Sequence, residues 1–221
     1  MTLLERPYVI INCAMSVDGK IALKTRKQTK ISSLEDFKRV HILRESVDAI
    51  LVGIGTVISD DPDLLPKEKY LGRKPKKIPI RIILDAKCRV PRNARVLDGR
   101  APTIVFTSKE CPLKNAKVIK VSEIKKGILD LKEVLKELYN RGVKTLLVEG
   151  GGNVIWEFVH RRLFDEIYVY VGSVIIGGHD APTMAEGEGA ETYEEIIKLK
   201  LIDVKRLGDG VLLHYRRMEG E

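Results

Sequence analysis

TLLVEGGGNVIWEFV, residues 145–159, is the stretch that decides how this chain is read. Leu146, Leu147 and Val148 form a short apolar run of the kind that makes a strand buried on both faces. Further on, Val154, Ile155, Trp156, Phe158 and Val159 supply the inner face of a short helix. Between them lie Gly150, Gly151 and Gly152, closed by Asn153. A strand that turns through glycines into a helix aims unpaired backbone N–H groups at one point, and the first-turn dipole adds positive potential there. A phosphate or diphosphate suits that point, and glycine lets it come close to the main chain. Glu149 sets a carboxylate at the carboxyl end of the strand, where open α/β sheets form their ligand crevice. A tight connection that binds nothing has the same outline. Three glycines are more than such a turn needs, which favours a ligand.

The whole-chain bounds fit a globular enzyme-sized protein. With 221 residues the chain can bury a full core, and it reads as one domain over 1–221. Its 44% hydrophobic and 32% charged residues contain no apolar run approaching a membrane span, and MTLLERPYVI at the start lacks a signal-peptide layout. The net charge of +8 fits nucleic acid, an anionic small molecule or a lysine-rich surface. Aromatics make up only 5%, with no aromatic-interleaved basic patch, so nucleic acid is disfavoured. Gln28 is the one glutamine among abundant Lys, Arg and Glu, a bias of proteins from hot environments. Cys13, Cys88 and Cys111 are odd in number and isolated, which points to a reducing cytoplasm without disulfides. The four histidines form no metal-binding spacing, so no metal is expected.

In order, PYVIINCAM (7–15) reads as a central strand running into the turn Ser16-Val17-Asp18-Gly19-Lys20. A helix is predicted over about 33–46, opened by a capping box and striped by Phe37, Val40, Leu43 and Val47. DAILVGI (48–54) is a second buried strand. After it, Gly53-Ile54-Gly55-Thr56-Val57 lacks the third glycine of a dinucleotide fingerprint, and no long helix pattern follows. From the residues alone, Asp60 and Asp61 before Pro62 read as turn formers. The basic segment 66–79, with Lys67, Lys69, Arg73, Lys74, Lys76 and Lys77, reads as a solvated loop or a phosphate-gathering one. Strands follow at 79–84, 103–107 and 118–121. A helix opens at Asp130 and ends at Gly142. Beyond the glycine stretch come a strand at 166–171, a loop over 172–182, and two strands, 199–207 and 211–216, joined as a hairpin by Gly208-Asp209-Gly210. The fold class is therefore α/β: a mixed central sheet flanked by helices, ending in an antiparallel hairpin.

Four ordered motifs carry a resemblance: Ser16-Val17-Asp18-Gly19-Lys20-Ile21-Ala22, Val52-Gly53-Ile54-Gly55-Thr56-Val57, Asp60-Asp61-Pro62-Asp63-Leu64 and Val148-Glu149-Gly150-Gly151-Gly152. Extended by Phe164-Asp165-Glu166 and Gly177-Gly178, they resemble the riboflavin-pathway pyrimidine reductases over nearly the full chain. The likeness is nearest to stand-alone members. The His-x-Glu and Pro-Cys-x-x-Cys motifs of a fused zinc deaminase do not occur. The resemblance implies a dihydrofolate-reductase-like fold, a homodimer, and NADPH as cofactor with NADH as the alternative. The implied reaction reduces a phosphorylated pyrimidine's ribosylamino group to a ribitylamino group, the acceptor being the anomeric carbon of an imine formed by ring opening. The cofactor carries the hydride, and the protein aligns it and excludes water.

By matched motif, Ala14, Thr56 and Asp60 are expected to line the nicotinamide half of the cofactor. Gly150, Gly151, Gly152 and Asn153 are expected to hold its diphosphate. Arg81, Ile82, Ile83 and Leu84 are expected to flank the adenosine, with Arg81 a partner for a 2′-phosphate. For the substrate the matched residues are Lys30, Arg44, Leu64, Lys67 and Glu149. Arg44 by itself reads as a solvated helix residue. Lys67 stands where bacterial relatives have arginine, which turns a bidentate phosphate clamp into a point charge. Gln28 and Lys30 replace small or aromatic residues, and Asn12 replaces a lysine. Asp60 and Glu149 are the catalytic candidates, acting as proton donors or orienting the ribose hydroxyls. The alternatives are reduction of the deaminated pyrimidine and a nucleotide-binding regulator without chemistry.

Overall fold

The computed structural model describes residues 5–27 and 29–218, so Gln28 lies outside the described residues. From the N-terminal side come β1 (Tyr8–Ser16), α1 (Leu34–Ser46), β2 (Ala49–Gly53), α2 (Ile54–Asp60), α3 (Glu68–Leu71), β3 (Ile80–Leu84), β4 (Thr103–Thr107) and β5 (Lys117–Lys120). Next are β6 (Glu123–Lys125), β7 (Ile128–Leu129), α4 (Leu131–Asn140), β8 (Thr145–Val148), α5 (Gly152–His160), β9 (Glu166–Gly172), β10 (Leu199–Leu207) and β11 (Gly210–Arg217). The strands are mostly parallel, the last two are antiparallel, and helices flank them, which is the mixed α/β class expected. By contact the described residues divide into two compact units, 5–8 with 41–147 and 9–40 with 148–218.

In the first unit the strand order is β8-β2-β3-β4-β5, and β2, β3, β4 and β5 run parallel. Every residue of β2 and β4 is buried, which explains their unbroken apolar sequences. Helix α4 is amphipathic: Leu131, Val134, Leu135 and Leu138 face the core, and the Asp130 carboxylate caps it by accepting from the Lys132 amide at 2.8 Å. The Asp48 carboxylate ties β8 down, accepting from the amides of Lys144 and Thr145, each at 2.9 Å.

The second unit has the order β10-β11-β9-β1. Strand β9 is parallel to β1, from Ile10 opposite Glu166 to Ser16 opposite Gly172, while β11 is antiparallel to β9 and β10 to β11. Flanked on both sides, β9 is internal, which explains why its residues alternate less than an exposed edge would.

No long helix follows Gly53, in line with the sequence: α2 is a seven-residue helix that Asp61 ends in the left-handed region at φ 40°. The structure departs from the sequence reading at three places. The basic loop carries one helical turn, α3, ended by Gly72, and a small hairpin, β6–β7, was not anticipated. Most plainly, Cys88 and Cys111 form a disulfide, Cα atoms 5.4 Å apart, against the expectation of none. Cys88 follows β3 and Cys111 follows β4. Because those strands are parallel neighbours, their outgoing loops run side by side, an adjacency that spacing along the chain cannot reveal. Among the described residues Cys13 is the free cysteine; burial, and then the charge of Asp36, push its thiol up to about 12.

Candidate functional site

In the second unit the glycine turn is built as its sequence suggests. Gly150 takes φ +107°, a conformation that L side chains rarely adopt, and a cis peptide bond joins it to Gly151. Gly151 is the N-cap of α5, and its carbonyl accepts from the amides of Val154 (2.9 Å) and Ile155 (3.1 Å). Among the described residues, the amides of Gly151, Gly152 and Asn153 donate to no protein acceptor. These are the orphan donors of a helix start, and the donor set fits a diphosphate. Gly152 is glycine for a different reason. The segment 183–186 crosses it so closely that a Cβ would stand 2.5 Å from the Thr183 carbonyl oxygen, and the Glu186 amide donates to the Gly152 carbonyl at 3.1 Å. The close approach attributed to a ligand is, at this glycine, made by the protein.

Beside the turn lies a cleft of about 550 Å³, lined by Arg26, Asn153, His179, Asp180, Thr183 and Glu186 among others. Its wall is held by Arg26, which donates twice to the Glu186 carboxylate, at 2.9 and 3.3 Å. The two outlying motifs of this unit meet. The Asp18 carboxylate accepts from the amides of Ile176 (3.0 Å) and Gly177 (2.7 Å), and Lys20 bridges to Thr183. The Ser16 hydroxyl, and then those two amides, hold the Asp18 carboxyl down at about 2. The SVDGK turn thus anchors the long loop that covers the start of α5. Ala14 lies half-buried towards the carboxyl end of β1, Glu149 half-buried just past β8, and Lys30 is exposed. Asn12 is buried, and its Oδ1 accepts from the Arg39 guanidinium at 2.7 Å.

In the first unit, Thr56 and Asp60 are four residues apart on α2 and share a face; both are half-buried. The segment after α2 is organised by Asp63, 5% exposed, whose Oδ2 meets the Arg95 guanidinium at 2.7 Å and the Lys67 ammonium at 3.3 Å. Burial works against ionisation of Asp63, but Lys67, the Leu65 amide and Arg95 outweigh it and lower its pKa. Asp61 accepts from the Arg95 amide at 2.7 Å, so the turn read from the sequence is real. Leu64 has φ 53°, and the residue as a whole is only 1% exposed. Arg44 and Lys67 both act on His41, whose Nδ1 accepts from the Lys67 amide at 3.1 Å. Burial first, and then the charges of Arg44 and Lys67, lower the His41 pKa to about 4.

Arg81 requires a correction. It is wholly buried, and its guanidinium donates to Thr103 Oγ1 (3.0 Å), the Arg95 carbonyl (3.1 Å), Asp98 Oδ1 (3.0 Å) and the Ala101 carbonyl (2.7 Å). Its donors are spent inside the fold, at the amino end of β3, whereas ligands gather at carboxyl ends. It is not a 2′-phosphate partner. Ile82 and Ile83 are core, and of the four only Leu84 is half-buried at the carboxyl end.

Sequence reasoning missed Arg26, Thr183 and Glu186, which reach the glycine turn from distant loops and carry no local signal. It also missed His41, which with Asp36 is a buried residue of α1, whereas Phe37, Val40 and Leu43 are only half-buried.

The RibD C-terminal domain family matches residues 7–213. The chain is 40% identical over 214 residues to the 2,5-diamino-6-ribosylamino-4(3H)-pyrimidinone 5′-phosphate reductase of Archaeoglobus fulgidus, covering 93% of this chain and 95% of that one. Its structure is similar to the diaminohydroxyphosphoribosylaminopyrimidine deaminase/5-amino-6-(5-phosphoribosylamino)uracil reductase of Thermotoga maritima, with a TM-score of 0.82 and 28% identity over 97% of this chain and 57% of that one. Dihydrofolate reductase from Enterococcus faecalis shares the fold at a TM-score of 0.51 and 14% identity, over 96% of this chain and 97% of that one.

Proposed function

The chain belongs to the RibD C-terminal domain family, and on that premise we propose that it is an oxidoreductase of riboflavin biosynthesis. It reduces the ribosylamino side chain of 2,5-diamino-6-ribosylamino-4(3H)-pyrimidinone 5′-phosphate to the ribitylamino product, with NADPH as reductant. One observation carries the cofactor reading: the amides of Gly151, Gly152 and Asn153 are left undonated at the start of α5. When bound, NADPH supplies a hydride to C1′ of the ring-opened imine, and a proton goes to the nitrogen. The residues of the chain bind and orient. The α5 amides hold the diphosphate, and Ala14, Thr56 and Asp60 face the nicotinamide half. Leu84 is the one residue of its strand that flanks the adenosine. Arg44 and Lys67 attract the substrate phosphate, Leu64 belongs to the wall of the substrate site, and Lys30 contributes charge. Asp60 and Glu149 orient the hydroxyls of the opened ribose.

Further parts of the reading are of the same kind. The two units make up one reductase domain over 1–221. The enzyme works in the cytoplasm; among the described residues no helix is long and apolar enough to cross a membrane. The disulfide is compatible with that place in a hyperthermophile, where intracellular proteins carry such bonds, and the glutamine-poor sequence has that bias. It is a homodimer: β10 ends its sheet order and exposes Leu201, Ile202 and Val204 at 52%, 39% and 55%.

The test follows NADPH oxidation by its absorbance, with the diamino substrate and its deaminated counterpart. Turnover of the diamino compound is expected. Turnover of the deaminated compound alone would move the enzyme one step along. Tight NADPH binding without turnover of either would make the chain a regulator.

A further inference from the structure

We infer that His41 is a positioning residue of the phosphate-binding charges in the first unit, its Nδ1 fixing the main chain of Lys67. The inference rests on the proposal that Lys67 and Arg44 attract the substrate phosphate. His41 is 3% exposed on α1, and its Nδ1 accepts from the Lys67 amide at 3.1 Å. The ring lies flat on Tyr70, centroids 4.5 Å apart and planes 15° from parallel. Tyr70 belongs to α3, whose first carbonyl partner is again Lys67: the amides of Tyr70 and Leu71 donate to its oxygen at 3.0 and 3.1 Å. Lys67 is the N-cap of α3 and has no side-chain cap bond. One imidazole therefore holds the amide of the capping residue and stacks on the helix that residue starts. With both main-chain groups of Lys67 fixed, the point and direction from which its side chain starts are fixed too, and from there its ammonium reaches Asp63 Oδ2 at 3.3 Å.

Charge shows that this is more than packing. Arg44 stands one turn along α1 from His41, and Lys67 and Lys69 belong to the adjoining segment, so three cations act on the ring against the charge of Asp63. A histidine among cations and out of water stays neutral, and only the neutral ring offers Nδ1 as an acceptor. The cations that would draw a phosphate also keep their own support unprotonated.

The test is steady-state kinetics on the full chain with His41→Leu and His41→Asn. Leucine fills the volume without an acceptor, whereas the asparagine Oδ1 stands about where Nδ1 did. In His41→Leu the KM for the phosphorylated pyrimidine is expected to rise about tenfold, the loss of one buried hydrogen bond, with kcat and the KM for NADPH unchanged. His41→Asn is expected to restore the KM. An unchanged KM in His41→Leu, an equal rise in both variants, or a fall in kcat at constant KM would overturn the inference. Should His41→Leu not fold, His41→Gln replaces it: its acceptor lies one bond further out, so a raised KM is expected and a wild-type KM overturns the role. Thermal stabilisation by inorganic phosphate gives a readout independent of turnover. It is expected in wild type and lost in His41→Leu; retention in that variant overturns the inference. Absence of wild-type turnover of either substrate would instead strike the reductase reading, leaving the phosphate readout to decide on His41.

Discussion

Replacing Gly152 by alanine probes the construction of the glycine turn directly. The new Cβ would meet the Thr183 carbonyl oxygen at 2.5 Å, Glu186 Cγ at 2.9 Å and the Glu186 amide nitrogen at 3.2 Å. The Glu186 side chain is flexible but doubly bonded to Arg26, and the Thr183 carbonyl cannot yield without its segment. The segment must therefore back away from α5 and give up the 3.1 Å bond from the Glu186 amide to the Gly152 carbonyl. Overpacking costs roughly 1–3 kcal/mol. The lost hydrogen bond adds about 1 kcal/mol, and alanine's better helix propensity returns up to about 1 kcal/mol. The net is about 2 kcal/mol, or a fall of about 4–8 °C in Tm for a chain of this size. Gly55→Ala is the control: that glycine lies inside α2 with nothing within 4 Å of an added Cβ, so its Tm should hold or rise. Thermal melts by circular dichroism measure both, and NADP⁺ titration of the same samples should show weaker binding for Gly152→Ala alone. Equal melting of Gly152→Ala and wild type would refute the claim that the 183–186 segment is seated on this glycine.

Three further outcomes are expected. Asp60→Asn should lower kcat more than it weakens NADPH binding, because Asp60 orients substrate; unchanged steady-state kinetics would remove it from the site. The His41 pKa is lowered to about 4 from an ordinary value near 6.5, so the unfolded chain takes up a proton that the folded one refuses. Its contribution to stability is complete above about pH 6.5 and is lost as the pH falls to about 4, and His41→Asn should flatten urea-derived stability across that window. Opening the Cys88–Cys111 bond with a reductant should destabilise the protein. For a separation of 23 residues, loop closure is worth about 3 kcal/mol, so Cys111→Ser should melt several degrees lower and lose its sensitivity to reductant.

Much of the fold was legible because its strands are apolar runs whose burial needs no partner to be named. Residues 103–107 and 199–207 were delimited as the structure has them, and Asp130 and Gly142 marked the ends of α4 through cap chemistry that is local. Arg81 was misread because a charged residue at the start of a strand looks solvent-bound until the loop carbonyls that receive it are known. The cysteine pair escaped because strand order, not sequence distance, brings Cys88 to Cys111. The glycine turn was read correctly as a turn but incompletely as a site. Its donors follow from local geometry, whereas the segment that closes over Gly152 arrives from thirty residues downstream (about, as chain separation). His41 escaped for the same reason: its partner, the Lys67 amide, belongs to a segment that the helix pattern does not name.

The structure of the protein with NADP⁺ bound tests the central claim most directly. The account expects diphosphate oxygens within hydrogen-bonding distance of the amides of Gly151, Gly152 and Asn153, at the start of α5. A diphosphate bound anywhere else, with those three amides facing only water, would contradict it.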